Sequence, residues 1–232
     1  MKIAITRLKE KGAGDAPRCR AFGHECYTVS PIQSEIQEKV IADFVAAVRR
    51  SEFDCIFFSS ALPAKIIAPH LVDPPRVIAI GPKTAETIHE CGIECETLPR
   101  FYSEELVPYL GEWILKKHIG IPRADVPNPN LLDSIRAAGG FPHEFRCYSL
   151  IATGEPLELD DAGAILFTSA MSFREAIWTR REDLVIIAIG KTTAAAMAKG
   201  GIPPDVTGDG SLDGTLPALN TYLERNHDKG HK

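Results

Sequence analysis

Four short stretches of this 232-residue chain place hydroxyls, glycine and lysine directly after runs of apolar residues. Two read "FFSSA" (57–61) and "LFTSA" (166–170); two read "AIGPKTAETI" (79–88) and "AIGKTTAAAM" (188–197). A strand that turns at once into a helix leaves the first N–H groups of that helix without partners, and such groups attract anions. Each helix start favours a carboxylate by about 0.3–1 kcal/mol. Several such turns suit one ligand carrying many negative groups. The candidate contacts are Ser59, Ser60 and Ala61, then Gly81, Lys83 and Thr84, then Thr168, Ser169 and Ala170, and then Gly190, Lys191, Thr192 and Thr193. Ser and Thr are also ordinary helix caps, so each taken alone has that plainer role.

Gly190, Lys191 and Thr192 reproduce the tail of a phosphate-binding P-loop. The full loop needs another glycine earlier, so that backbone N–H groups wrap the phosphate. That position is Val185, inside the strand. The wrap is missing, and a single tight turn remains.

The elements that hold these turns repeat. Gly81 and Gly190 lie 109 positions apart (190 − 81), as do Ser60 and Ser169 (169 − 60). A weaker third pair sets "IAITR" beside "IGIPR" and Arg7 beside Arg123. Arg offers carboxylates a fork of donors. Two copies are too few for a solenoid. Short β-rich runs such as "KIAIT", "CIFFSS", "VIAIG" and "AILFTS" alternate with helices predicted over 34–50, 61–69, 83–91, 103–118, 130–138, 170–178, 192–199 and 212–226. That alternation predicts an α/β fold of two similar doubly wound parallel-sheet domains. Ligands of such sheets sit at the carboxyl ends of the strands, where all of these turns fall. Ser103 and Ser211 head helices, with capping as their first role and ligand contact as their second.

Composition narrows the classes. Lys and Arg number 26 against 31 Asp and Glu, for a net charge of −5, so nothing favours a nucleic-acid surface. No apolar run approaches the roughly 18 residues of a membrane span. The opening "MKIAITR" reads as a strand rather than a signal peptide. Six scattered cysteines (Cys19, Cys26, Cys55, Cys91, Cys95, Cys147) fit a reduced, cytoplasmic chain. In "HECGIEC", His89, Cys91 and Cys95 lack a second pair at zinc spacing, so no metal site is expected.

The paired "FFSSA"/"LFTSA" and "AIGPKTAETI"/"AIGKTTAAAM", with "FYSEELVPYL", "AAGGFPHEFRCYSL" and "GDGSLDGTLPAL", resemble the uroporphyrinogen-III synthase family over nearly the whole chain. The repeats alone would cut the chain near Lys117. The resemblance instead implies one discontinuous domain of residues 1–33 plus 154–232 and a second of 36–151. Two linker strands, near 32–36 and 148–153, would join them, with a cleft between the domains and a hinge.

The family's reaction cyclises the linear tetrapyrrole hydroxymethylbilane, with loss of water and inversion of the last ring, on the path to porphyrins and heme. The resemblance therefore implies a monomeric lyase without cofactor or metal. Its partners would be this eight-carboxylate substrate and, transiently, the preceding pathway enzyme. By the same resemblance Tyr148 is the candidate acid or hydrogen-bond donor. Thr84 and Thr193, Ser60 and Ser169, and Arg7 and Arg123 match positions that meet substrate carboxylates. "ADVPNPN" (124–130) departs from the family's glycine-rich turn, because its two prolines stiffen the loop. Two other functions fit the same turns: a hinged binding protein for a polyanionic small molecule, and a nucleotide- or sugar-phosphate enzyme.

Overall fold

The computed structural model describes residues 1–8 and 14–227. The chain divides into unit 1, Met1–Ser34 with Ile151–Lys232, and unit 2, Glu35–Leu150. It passes between them twice.

Unit 1 begins with β1 (Lys2–Thr6), α1 (Asp15–Ala21) and β2 (Glu25–Val29). After β3 (Ile32–Ile36), unit 2 runs through α2 (Glu38–Arg49), β4 (Cys55–Phe58), α3 (Ala61–Ile67), β5 (Arg76–Ala79), α4 (Pro82–His89), β6 (Glu96–Thr97), α5 (Leu106–Leu110), β7 (His118–Ala124), α6 (Pro129–Ala137) and β8 (Phe141–Ala152). Unit 1 then resumes with β9 (Ala164–Phe167), α7 (Ala170–Arg174), β10 (Val185–Ala188), α8 (Lys191–Lys199), β11 (Val206–Thr207) and α9 (Leu212–His227).

The sheet of unit 1 has the order β11-β10-β9-β1-β2, and the other sheet the order β3-β8-β7-β4-β5-β6. All pairs within β1, β2, β9, β10 and β11 are parallel, as are those within β4 to β8. The two sheets thus share one order, with β1 and β7 as twins, and β9 and β4. The strand β3 hydrogen-bonds with β8 along the segment where the chain changes unit.

Periodicity explains the layers. The middle strands β4 and β9 are buried at every residue, because parallel strands between two helical layers are apolar on both faces. In unit 1, Ala4, Ile165, Phe167 and Ile186 join one core with Met197 of α8. Their neighbours Ile3, Ile5, Leu166 and Ile187 join the opposite core with Leu216 and Leu219 of α9. In unit 2, Ile56 and Phe58 pack with Phe44 of α2 and Ile88 of α4. Cys55 and Phe57 pack on the other side with Leu106 of α5 and Ile135 of α6. Burying each such Leu, Ile or Phe contributes roughly 1.5–3 kcal/mol.

The doubly wound architecture is as expected, but four helices are not. The predicted helix 103–118 is broken into a 3-10 turn at Ser103–Glu105, α5, and a second 3-10 turn at Gly111–Ile114. Gly111 at φ 55 and Lys116 at φ 60 end any continuous ladder, and His118 already opens β7. The helix predicted over 34–50 starts only at Glu38, because Ile32–Ile36 is strand. The helix predicted over 170–178 stops at Arg174, and Ile177 bridges to Pro156 instead. The helix α1 appears where none was predicted.

Candidate functional site

Strand order reverses direction beside β1 in unit 1 and beside β7 in unit 2. Such switch points open a crevice at the carboxyl ends of the strands, where doubly wound sheets hold ligands. In unit 1 the switch point lies between β1 and β9. Thr6 and Thr168 bond to each other across it. The buried Thr6 hydroxyl donates to the Leu166 carbonyl at 3.2 Å and accepts the Thr168 N–H at 3.0 Å. The Thr168 hydroxyl donates to the Thr6 carbonyl. Ser169 caps α7 by accepting the Ser172 N–H at 3.0 Å, and Ala170 is its first helical residue.

One strand along, Gly190 leads into α8. The N–H groups of Lys191, Thr192 and Thr193 have no partner among the described residues, and Lys191 and Thr192 are exposed. Thr193 is only 4% exposed. Its hydroxyl has no hydrogen bond, yet every fully buried side-chain N or O atom in the described chain has one, so this hydroxyl reaches solvent. A β-carbon on Gly190 would lie 3.1 Å from Gly210 Cα, so the β10 and β11 turns touch backbone to backbone. Ser211 caps α9: its hydroxyl accepts the Gly214 N–H at 3.0 Å and donates to Asp209 Oδ1 at 2.7 Å. Donation from the Ser211 N–H, then from its hydroxyl, holds the Asp209 carboxyl below its usual range.

The edge of unit 2 repeats this with changes. Ser59 and Ser60 end β4 half-buried, and Ser60 makes no capping bond before Ala61, unlike its twin Ser169. Gly81 leads into α4, but Pro82 has no N–H and the Thr84 N–H returns to the Gly81 carbonyl at 3.1 Å. The turn therefore offers the Lys83 N–H where the Gly190 turn offers three donors. Thr84 is 4% exposed with an unpartnered hydroxyl, as in Thr193. Ser103 opens a 3-10 turn and accepts from Asn128 Nδ2 at 3.4 Å.

The two arginines are engaged within their own units. Arg7 gives Nε and Nη2 to the buried Asp15 of α1. Arg123 gives Nη1 to Glu144 at 2.9 Å and Nη2 to the Val126 carbonyl. Tyr148 is buried in β8 opposite Ala124, where β7 ends. Sequence reasoning missed Asp15 and Glu144, which lie 8 and 21 positions from their arginines with no periodicity linking them. Thr6 ends the "KIAIT" strand at the Thr6–Arg7 turn, one of the strand ends that the sequence places on the ligand edge.

No group of three or more His, Cys, Asp or Glu among the described residues is arranged to hold a metal. All six cysteines are free thiols. Cys95 Sγ meets His89 Nε2 at 3.5 Å, and burial pushes its thiol pKa up. No helix among the described residues is long and apolar enough to cross a membrane.

Repeated doubly wound parallel sheets of one strand order, each ending in hydroxyls, open N–H groups and lysines, define a two-unit α/β protein. The family model for uroporphyrinogen-III synthase HemD matches residues 15–211, and the chain belongs to that family. Uroporphyrinogen-III synthetase from Helicobacter pylori is similar in structure, with 18% identity, TM-score 0.66, and coverage of 96% of this chain and 100% of that one. A mutant uroporphyrinogen III synthase from the extremely thermophilic bacterium Thermus thermophilus gives 16% identity, TM-score 0.57, and coverage of 97% and 99%. At these identities the likeness speaks for the fold. A search of curated proteins finds no match.

Proposed function

We propose that this chain converts hydroxymethylbilane to uroporphyrinogen III, expelling water and inverting ring D. The observation that carries the proposal is the family match across 15–211. The strand-end turns support it, because the substrate has eight carboxylates and the turns offer distributed anion donors.

The chemistry divides simply. The electron-rich pyrrole nitrogen pushes the hydroxyl off the terminal carbon, and a donor supplies the proton that makes it water. Tyr148 is that donor in this reading. A general acid contributes about 10²–10⁴-fold. The chain must then be folded until its far ring attacks through a substituted carbon, which opens the way to inversion. Holding two ends in register can supply much of the barrier reduction. In each unit one turn, Gly190–Thr193 or Gly81–Thr84, offers anchors for carboxylates, with Lys191 or Lys83 adding charge. Ser59, Ser60, Ser169, Ser103 and Ser211 are secondary contacts. Arg7 and Arg123 serve through the donors that Asp15 and Glu144 leave open.

Incubation with freshly prepared hydroxymethylbilane tests the function, with the product isomers separated after oxidation. Uroporphyrin III is the expected product. Uroporphyrin I alone, the uninverted ring formed without enzyme, would reject it.

A further inference from the structure

The strands β7 and β8 pair in step from His118↔Phe141 to Arg123↔Arg146. The next rung pairs Ala124 with Tyr148 and skips Cys147. In step, Tyr148 would share a face with Glu144 and Arg146. A one-residue slip sends it to the other face. Cys147 and Tyr148 are both buried, at 0% and 7% exposure.

A chain of charges spans this slip. Arg123 Nη1 donates to Glu144 Oε1 at 2.9 Å, and Glu144 Oε2 accepts from Arg146 Nε at 3.1 Å. Arg146 Nη1 donates to Asp125 Oδ1 at 2.9 Å. The Asp125 N–H then donates to the Tyr148 carbonyl at 2.7 Å. The links begin before the irregular rung and end on the tyrosine's own backbone. Arg123 Nη2 also ties the Val126 carbonyl, so the loop cannot lift without breaking a buried pair. Arg123 and Glu144 side chains are 9% and 16% exposed, whereas Arg146 and Asp125 are about half exposed.

We propose that the Arg123–Glu144–Arg146–Asp125 chain is the positioning device for Tyr148, holding the register slip that turns this side chain inward. The proposal rests on Tyr148 as the proton donor. Exposed ion pairs contribute little to stability. Their role here is to forbid the in-step register. Glu144 is the hub, since both arginines depend on it.

The test is Glu144→Gln in the full chain, with tyrosines replaced by 3-fluorotyrosine. Tyr148→Phe identifies the Tyr148 fluorine line by its disappearance. In Glu144→Gln that line shifts or splits, kcat on hydroxymethylbilane falls by about tenfold or more, and KM stays within about twofold. Arg136→Ala, which breaks an exposed pair with Asp133, leaves both unchanged. If Glu144→Gln does not fold, Arg146→Gln cuts the chain at its exposed end and is expected to move the same line. An unmoved line with unchanged kcat overturns the proposal. Full turnover by Tyr148→Phe would instead remove the proton-donor role, whatever the fluorine line does in Glu144→Gln.

Discussion

The Thr6 hydroxyl accepts the Thr168 N–H at 3.0 Å while the Thr168 hydroxyl donates back to the Thr6 carbonyl, so the ends of β1 and β9 are stitched by a reciprocal pair. The stitch sits at the switch point of unit 1. Thr6→Val keeps the shape and removes the acceptor. The Thr168 N–H is then left without its partner, at a cost of about 1–3 kcal/mol. A lowered urea midpoint at unchanged slope is the expected result. An unshifted midpoint would mean that solvent replaces the stitch without loss.

Stability should also depend on His24. This buried ring faces Asn220 Oδ1 at 2.7 Å and the Met1 ammonium at 3.3 Å. Asn220 Nδ2 donates to the Phe22 carbonyl, so its oxygen is the atom turned to His24. The ring must donate there from Nε2, which leaves Nδ1 unprotonated toward the ammonium. Burial is the main cause lowering the His24 pKa from 6.5; Asn220 opposes it and the ammonium adds to it. His143 is lowered too, by burial first and by His118 next. A depressed folded pKa means that the unfolded chain binds more protons. This part of stability is complete above about pH 6.5 and is lost as pH falls through the folded values. Urea midpoints should therefore drop from pH 7 to pH 5, and His24→Gln should flatten that drop. An equal slope in the variant would clear His24.

Most strands were legible and several helices were not, for one physical reason; the exceptions are β3, which overlaps a predicted helix, and the two-residue β11. Strands such as "CIFF" and "AILF" are buried on both faces, so apolar runs mark them without any context. Helix α1 buries only Asp15 and Cys19, and "DAPRCRA" shows no apolar stripe. The break after Leu110 depends on backbone angles at Gly111 and Lys116 that no periodicity records. The site divides the same way. Hydroxyl and glycine turns repeat at a fixed offset and could be read. The acids that hold Arg7 and Arg123 come from a neighbouring helix and strand and could not. Neither could the difference between Ser169, which caps, and Ser60, which does not.

Tyr148→Phe tests the proposed proton donor directly. The ring is buried, so losing one oxygen alters packing little. Turnover should fall by about 10²–10⁴-fold, the usual range for a general acid, with KM nearly constant. Single-turnover assays with hydroxymethylbilane, scored for the III isomer, give that comparison. Wild-type rates would take Tyr148 out of the mechanism.

Twin glycines offer a sharper contrast. Gly81 and Gly190 have almost the same extended backbone, φ −169 and −168, so neither needs glycine for its dihedrals. What differs is the neighbour. An added β-carbon at Gly81 would press on the Phe101 ring at 3.1 Å, and Phe101 is 58% exposed and able to swing away. At Gly190 it would press on Gly210 Cα at 3.1 Å and Gly210 N at 3.2 Å. That backbone is anchored, because the Gly210 N–H donates to the Ile189 carbonyl at 2.7 Å and Ser211 caps α9 next to it. Gly190→Ala should therefore destabilise by about 1–3 kcal/mol, as overpacking does, and raise KM by displacing the three open N–H donors. Gly81→Ala should stay within about 0.5 kcal/mol with a smaller rise in KM. Urea unfolding and steady-state kinetics on both variants decide it. Equal effects would mean that the two turns carry the same load, contrary to the donors each one presents.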